Sequence, residues 1–156
     1  MLHRNAARKV ITHQARIHAP LSKVFPLLCP VREYEWIDGW SCDLVYSESG
    51  FAEKGAIFTT EFRPEGASIW TITRHEPFKA VEFVVVFPGS HVMSIEISLT
   101  AIESGETKLD WTCIYTSLVE PNEFIASVDQ ESFNERQEFF DRALNYYCRT
   151  GQILRR

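Results

Sequence analysis

Residues 15–28 read ARIHAPLSKVFPLL, and the pattern of side chains changes in the middle of them. Upstream, loosely alternating apolar and polar residues predict a first strand over about residues 10–17. Ala19–Pro20 ends that strand, because proline fixes its backbone angle and lacks the N–H that a ladder needs. Val24 and Leu28 then recur at helical spacing. We therefore expect a strand that passes at once into a short helix.

A second short helical piece is predicted at about residues 31–36, and strand-like runs fill the middle of the chain. The gaps between the runs carry turn residues such as Gly, Pro and Ser, so successive strands should pair antiparallel. The runs are about Ser41–Tyr46, Ala56–Arg63, Ser68–Glu76, Ala80–Phe87, His91–Glu103 and Thr107–Leu118. Together with the first strand they predict a seven-stranded antiparallel sheet.

Alternation along the strands predicts which side chains face the interior. Met93, Ile95 and Ile97 point one way, while Ser94 and Glu96 point to a polar outer face. The same parity predicts an inner set on the other strands of Phe58, Thr60, Phe62, Trp70, Ile72, Arg74, Val81, Phe83, Val85, Phe87, Leu109, Trp111, Cys113 and Tyr115. A register slip of one residue would reverse any strand in this set.

The C-terminal part of the chain changes to a helical period that continues to about Arg149. The stripe that should pack on the sheet contains Ile125, Val128, Phe139, Phe140, Ala143, Leu144 and Tyr147. Asp129, Ser132 and Arg136 are expected to interrupt the first half of that stripe. A capping-box pattern that starts at Ser127 predicts a break in the helix there.

The bulk properties predict one globular domain over residues 1–156, with a flexible N-terminus at 1–8 and a frayed C-terminus at 152–156. A formal charge of −5 argues against a nucleic-acid partner, since phosphates are bound mainly by a surplus of Lys and Arg. No apolar run is long enough to cross a membrane, so we expect no integral membrane association and a cytoplasmic location. The cysteines are scattered and predict free thiols.

Motifs that carry a reaction are missing from the sequence. There is no G-x-S-x-G elbow, phosphate-binding loop, G-x-G-x-x-G turn or H-E-x-x-H helix. The five histidines show no spacing typical of metal ligands. We therefore predict no cofactor and no metal site.

The stretch from Ala15 to Leu28, followed by Tyr34-Glu35-Trp36, resembles the opening signature of the START-like (SRPBCC) superfamily, which includes polyketide cyclases/dehydratases and lipid-transfer proteins. Arg74-His75-Glu76-Pro77 resembles a strand end and turn of the same family. The resemblance implies an α+β helix-grip fold. In that fold two short helices follow the first strand, and a long C-terminal helix crosses the concave face of a curved seven-stranded antiparallel sheet. It also implies an apolar cavity between the sheet and that helix.

Polar and aromatic residues of the inner face are the candidate site residues, because buried polar groups need a partner or a ligand. The candidates for ligand binding are Phe62, Trp70, Arg74, Phe83, Met93, Ile95, Trp111, Tyr115, Arg136 and Phe140. His13, Arg74 and Tyr115 are the candidates for catalysis: the imidazole as an acid or base, the guanidinium as an anchor for an anionic oxygen, and the phenol to orient a carbonyl.

Three functions remain open at this point. The first is binding or transport of a small apolar molecule that resembles a lipid, a polyketide or an aromatic compound. The second is a metal-free enzyme of the polyketide cyclase or dehydratase type that uses the same cavity. The third is a protein-interaction module, with an exposed patch around Phe51 and Phe78 and a possible homodimer.

Overall fold

The computed structural model describes residues 5–62, 66–103 and 105–156, without the side chain of Phe62. The strands are β1 (Arg8–Ile17), β2 (Asp43–Tyr46), β3 (Ile57–Phe62), β4 (Gly66–Glu76), β5 (Ala80–Phe87), β6 (His91–Ile102) and β7 (Glu106–Ser117). The helices are α1 (Leu21–Val24), α2 (Glu123–Ser127) and α3 (Gln130–Thr150), and two 3-10 turns cover Phe25–Leu27 and Glu33–Glu35.

The seven strands form one antiparallel sheet in the order β1-β7-β6-β5-β4-β3-β2. This confirms the predicted architecture, with short helical pieces after β1 and a long helix at the end. Each predicted strand lies within a few residues of the observed one, and β5 has the predicted bounds. Strands β2 to β7 each pair with the next strand in the chain. The first strand, β1, is an edge strand and pairs with the last, β7.

A bulge in β4 overturns the predicted inward orientation of Arg74. Ile72 pairs with Phe83, but Arg74 pairs with Glu82, so the register shifts between them. The extra residue moves Arg74 to the outer, convex face beside Glu82, and it turns His75 inward opposite Val81. Arg74 there forms ion pairs with Glu76 at 2.7 Å and with Glu82 at 3.5 Å.

The predicted break before the long helix is confirmed, but the residue that caps the helix is different. Asp129 is the N-cap of α3, and its carboxylate accepts the Ser132 N–H at 2.8 Å. At the other end Gly151 adopts a left-handed conformation with φ of 70°. The left-handed backbone conformation is less strained for glycine than for other residues, which explains why the helix ends at Gly151.

The inward face of α3 is one residue out of phase with the prediction in its first half. Asp129, Ser132 and Arg136 are exposed, whereas Phe133 and Gln137 are buried, at 6% and 7% exposure. The interior therefore receives an amide where the sequence predicted a guanidinium, which corrects the placement of Arg136.

Polar side chains of α3 cover the open edge of β1. Gln130 Nε2 donates to the carbonyl of Thr12 at 2.7 Å. Asn145 accepts the backbone N–H of His18 at 2.8 Å and donates to the carbonyl of Arg16 at 3.1 Å. These bonds satisfy backbone groups that an edge strand would otherwise expose. The helix is thereby fixed along β1 and across the concave face of the sheet.

The convex face is less polar than its alternation predicted. Val10 is 62% exposed, Ile69 is 47% exposed, and both point away from α3. Ile69 pairs with Val86, and Val86 pairs with Val92, so these three side chains lie side by side on β4, β5 and β6. Within the described residues, no helix is long and apolar enough to span a membrane.

Candidate functional site

The concave face beneath α3 combines buried and partly exposed side chains. Phe83 and Ile95 are buried at 6% and 8% exposure. Trp70, Met93 and Trp111 belong to the same face but retain partial exposure. Phe140, on α3 above the sheet, is also partly exposed. These side chains of the concave face and of α3 therefore keep part of their surface in contact with solvent.

An aromatic cluster occupies the part of this face formed by β3, β4 and β5. The Trp70 ring stacks on Phe58 with centroids 5.2 Å apart, and it meets Phe83 edge-on at 5.8 Å. The indole N–H of Trp70 donates to the hydroxyls of Thr60 and Ser68, at 2.9 and 3.0 Å. These bonds fix the orientation of the indole and satisfy its only donor.

His13 lies at the opposite side of the concave face, on β1. Its Nε2 is 2.6 Å from Oδ2 of Asp141 on α3, and its side chain is 10% exposed. The pKa of Asp141 is raised because burial disfavours its charged form, and His13 opposes that rise. A hydrogen-bonded imidazole and carboxyl are thus held at the seam between α3 and the sheet.

The described residues form open clefts, among them the following two. A cleft of about 610 Å³ lies at the β1 edge near the start of α3, with a largely polar lining of Thr12, His13, Gln14, Asp110, Trp111, Thr112, Gln130 and Asn134. A cleft of about 550 Å³ is lined by Phe139, Arg142, Leu154, Arg155 and Arg156. The aromatic cluster lines neither of them, so neither is the enclosed apolar cavity that the resemblance implied.

No protein-family description matches the chain, and no curated protein matches it. Solved structures do. DynU16, from the dynemicin biosynthetic locus, superimposes with a TM-score of 0.63 at 19% identity over 92% of this chain and 48% of its own, so this chain spans about half its length. Ara h 8.0201 gives a TM-score of 0.66 at 12% sequence identity, over 92% of this chain and 99% of its own. The Aha1 dimer from Colwellia psychrerythraea gives a TM-score of 0.62 at 20% sequence identity, over 92% of this chain and 98% of the Aha1 chain.

The chain has the helix-grip fold. At these levels of identity the likeness establishes the architecture, while activity has to be argued from side chains.

The predicted site residues are only partly brought together by this helix-grip chain. His13 and Trp111 are direct partners across the β1–β7 ladder. Trp70 and Phe83 share the aromatic cluster, and Met93, Ile95 and Phe140 complete the concave face and the helix above it. Arg74 lies on the convex face, and Arg136 is exposed on α3. The side chain of Phe62 lies outside the described part of the structure.

Tyr115 belongs to a different group of aromatic residues. It is 3% exposed, and its ring lies 6.1 Å from His91 and 6.2 Å from Phe124. His91 is stacked between Phe87 and Phe124, with centroid distances of 4.3 and 4.5 Å. The prediction treated Tyr115 as a pocket residue, whereas this stack joins α2 to the sheet.

Glu33 is a candidate that sequence reasoning missed. It begins the Glu33–Glu35 turn, and the buried residues Trp36 and Ile37 follow it at helical spacing, which directs the half-buried Glu33 side chain toward the core. Burial raises the pKa of Glu33 to about 8. The group is therefore mostly a neutral carboxylic acid at pH 7. The signal in the sequence was an acidic residue in phase with two core residues.

Metal and thiol chemistry find little support in the described residues. They contain no group of three or more His, Cys, Asp or Glu side chains placed to hold a metal ion. All four cysteines lie within the described ranges and are free of disulfides. Burial raises the pKa of Cys113 to about 12, so its thiolate is scarce at neutral pH and it is a poor nucleophile.

Proposed function

We propose that the protein binds a small apolar molecule between the concave sheet face and α3. The observation that carries this proposal is the partial exposure of Trp70, Met93 and Trp111 on a face that α3 otherwise covers. A ligand that covers large apolar side chains removes them from water, and this lowers the free energy of the complex. A cytoplasmic location stays part of the proposal.

Binding requires the aromatic side chains to move. Trp70 packs against Phe58 and Phe83, and neither of the two clefts is lined by this cluster. A ligand therefore enters by displacing partly exposed rings, for which Trp70 and Phe140 are suited because neither is fully buried.

The test is native mass spectrometry of the chain purified from its own host, together with two matched variants. We expect the wild-type protein to carry a small molecule, Trp70→Ala to lose it, and Ile69→Ala to retain it. Ile69 is the adjacent residue of β4 on the convex face, so it controls for general damage to that strand. A wild-type protein without any bound molecule, or equal losses in both variants, contradicts the proposal.

The enzyme alternative now depends on His13 and Asp141 rather than on Arg74. Their 2.6 Å contact is an arrangement suited to proton transfer at a bound molecule. Under this alternative His13→Gln abolishes turnover of a bound compound while leaving the mass-spectrometric complex intact. Loss of the complex itself would instead assign His13 to binding.

A second candidate function, contact with a protein partner, is favoured by the convex face. Ile69, Val86 and Val92 form an apolar row there, and Phe51 and Phe78 are 56% and 50% exposed elsewhere. A homodimer through this row is the simplest form of such contact. Ile69→Glu should then lower the mass measured by light scattering, and an unchanged monomeric mass in the wild type would exclude the dimer.

A further inference from the structure

Two buried N–H groups near α3 have no hydrogen-bond partner within the described residues: Nε1 of Trp111 and Nε2 of Gln137. The contrast with the other tryptophans is informative. The indole N–H groups of Trp36, Trp40 and Trp70 donate to oxygen atoms at 2.8 to 3.0 Å. Buried donors are almost always paired, so each exception needs a physical explanation.

The spacing on α3 places Gln137 over His13. Phe133, Gln137 and Asp141 follow each other at intervals of four residues, which puts them on one line of the helix surface. The first and last of the three both contact His13: the Phe133 ring lies edge-on to the imidazole at 6.3 Å, and Asp141 binds it at 2.6 Å. Gln137, between them and 7% exposed, faces the same point of the sheet.

The register of the sheet adds Trp111 to this group. Trp111 is the partner of His13 across the β1–β7 ladder, and Ile97 pairs with it from the other side. Directly paired residues of an antiparallel ladder point to the same face. The two unpaired donors therefore lie on either side of His13, one below it on the sheet and one above it on the helix.

We propose that Trp111 and Gln137 donate hydrogen bonds to a carbonyl oxygen of the bound molecule, beside the His13–Asp141 pair. This inference rests on the proposed function and specifies its ligand: an apolar molecule with a ketone, ester or amide group at one end. A carbonyl oxygen has two lone pairs and can accept both bonds. Asp141 disfavours an anionic ligand group wherever its carboxyl is ionised, because like charges repel in a partly buried site.

The experiment compares two probes of nearly the same shape, 2-acetonaphthone and 2-ethylnaphthalene, which differ in the carbonyl oxygen. Side-chain N–H signals of the 15N-labelled protein are followed by NMR during titration. We expect acetonaphthone to shift the Trp111 indole and Gln137 amide protons downfield. The Trp36 and Trp40 signals should stay in place, since those groups already donate to backbone carbonyls.

Variants then separate the hydrogen bonds from the apolar contact. Trp111→Phe and Gln137→Leu each remove one donor and should weaken acetonaphthone about fivefold, while ethylnaphthalene binding stays within twofold. Glu135→Ala, on the exposed side of α3, is the control and should change neither. A second titration with 2-naphthoate should show weaker binding than acetonaphthone.

The outcomes distinguish this inference from the proposed function. If both probes bind equally and the Trp111 and Gln137 signals stay in place, the carbonyl site is refuted while apolar binding stands. If 2-naphthoate binds more tightly than acetonaphthone, the carbonyl assignment is wrong and the site prefers an anion. If neither naphthalene probe binds, the proposed function fails and the inference fails with it.

Discussion

Replacing Glu33 by glutamine should stabilise the protein at high pH and leave it unchanged at low pH. The substitution keeps the size of the side chain and removes its ability to ionise. Burial raises the pKa of Glu33 to about 8, against an ordinary value of 4.5. Between these two values the folded protein holds a proton that the unfolded chain has released, so the free energy of unfolding decreases as the pH rises through this window.

The size of the effect follows from the same two values. At about 1.4 kcal/mol for each pH unit, the difference between 4.5 and about 8 limits the effect to about 5 kcal/mol. Glu33 keeps part of its surface accessible to water, which lowers the cost of its charge. We therefore expect Glu33→Gln to be more stable than the wild type by about 2–3 kcal/mol at pH 9.

The assay is urea unfolding at several pH values between 3 and 9, followed by tryptophan fluorescence. The difference in stability between the two proteins should be constant below pH 4.5, change as the pH rises from 4.5 to about 8, and level off above that range. Glu61→Gln, an exposed carboxylate on β3, serves as the control for a change in net charge. A difference between wild type and Glu33→Gln that is the same at every pH, or a destabilised variant at pH 9, would refute the reasoning about this buried carboxyl.

Three further outcomes are expected. Gln137→Leu should raise the free energy of unfolding by about 1 kcal/mol, because it removes a buried donor that has no partner among the described residues; a loss of stability in urea unfolding would contradict this. Tyr147→Phe should cost about 0.5–1 kcal/mol by removing the 2.5 Å bond from Tyr147 to Glu35, and the cost should shrink in acid as Glu35 is protonated, as measured by urea unfolding at pH 7 and pH 3. Arg74→Gln should leave ligand affinity within twofold in a calorimetric titration, since Arg74 lies on the convex face, and a larger loss would return it to the binding site.

The architecture was predictable because local signals agreed along the chain. Turn residues separate each pair of strands, and apolar residues alternate within them, so the bounds of β5 could be predicted to the residue. The exit from β1 at Ala19–Pro20 and the stop of α3 at Gly151 follow from backbone chemistry that single residues impose. None of these signals depends on contacts between distant segments.

The candidate site was less predictable because it depends on such contacts. One extra residue in β4 reversed the orientation of Arg74, and the alternation on either side of the bulge contains no warning of it. On α3 the prediction was wrong by one position: it placed Arg136 on the inward face, whereas Gln137 is the buried residue. His13 was chosen correctly as an inward residue, but its partner Asp141 is 128 residues away in sequence.

The polar side chains of α3 fall into two groups, those that bond to β1 and the buried Gln137. Gln130 and Asn145 donate to backbone carbonyls of β1 and hold the helix on the edge of the sheet. Gln137 lies on the same helix and is more deeply buried than either, and its side-chain N–H donors have no partner in the described part of the chain. Polar side chains are thus hydrogen-bonded at the sheet edge, while a buried one is not, among the residues that the structure describes. This contrast supports the proposed role of Gln137 in ligand binding. A variant that repairs the interior, such as Gln137→Leu, should therefore gain stability and lose its preference for a carbonyl-bearing ligand, two effects that a purely structural glutamine would not combine.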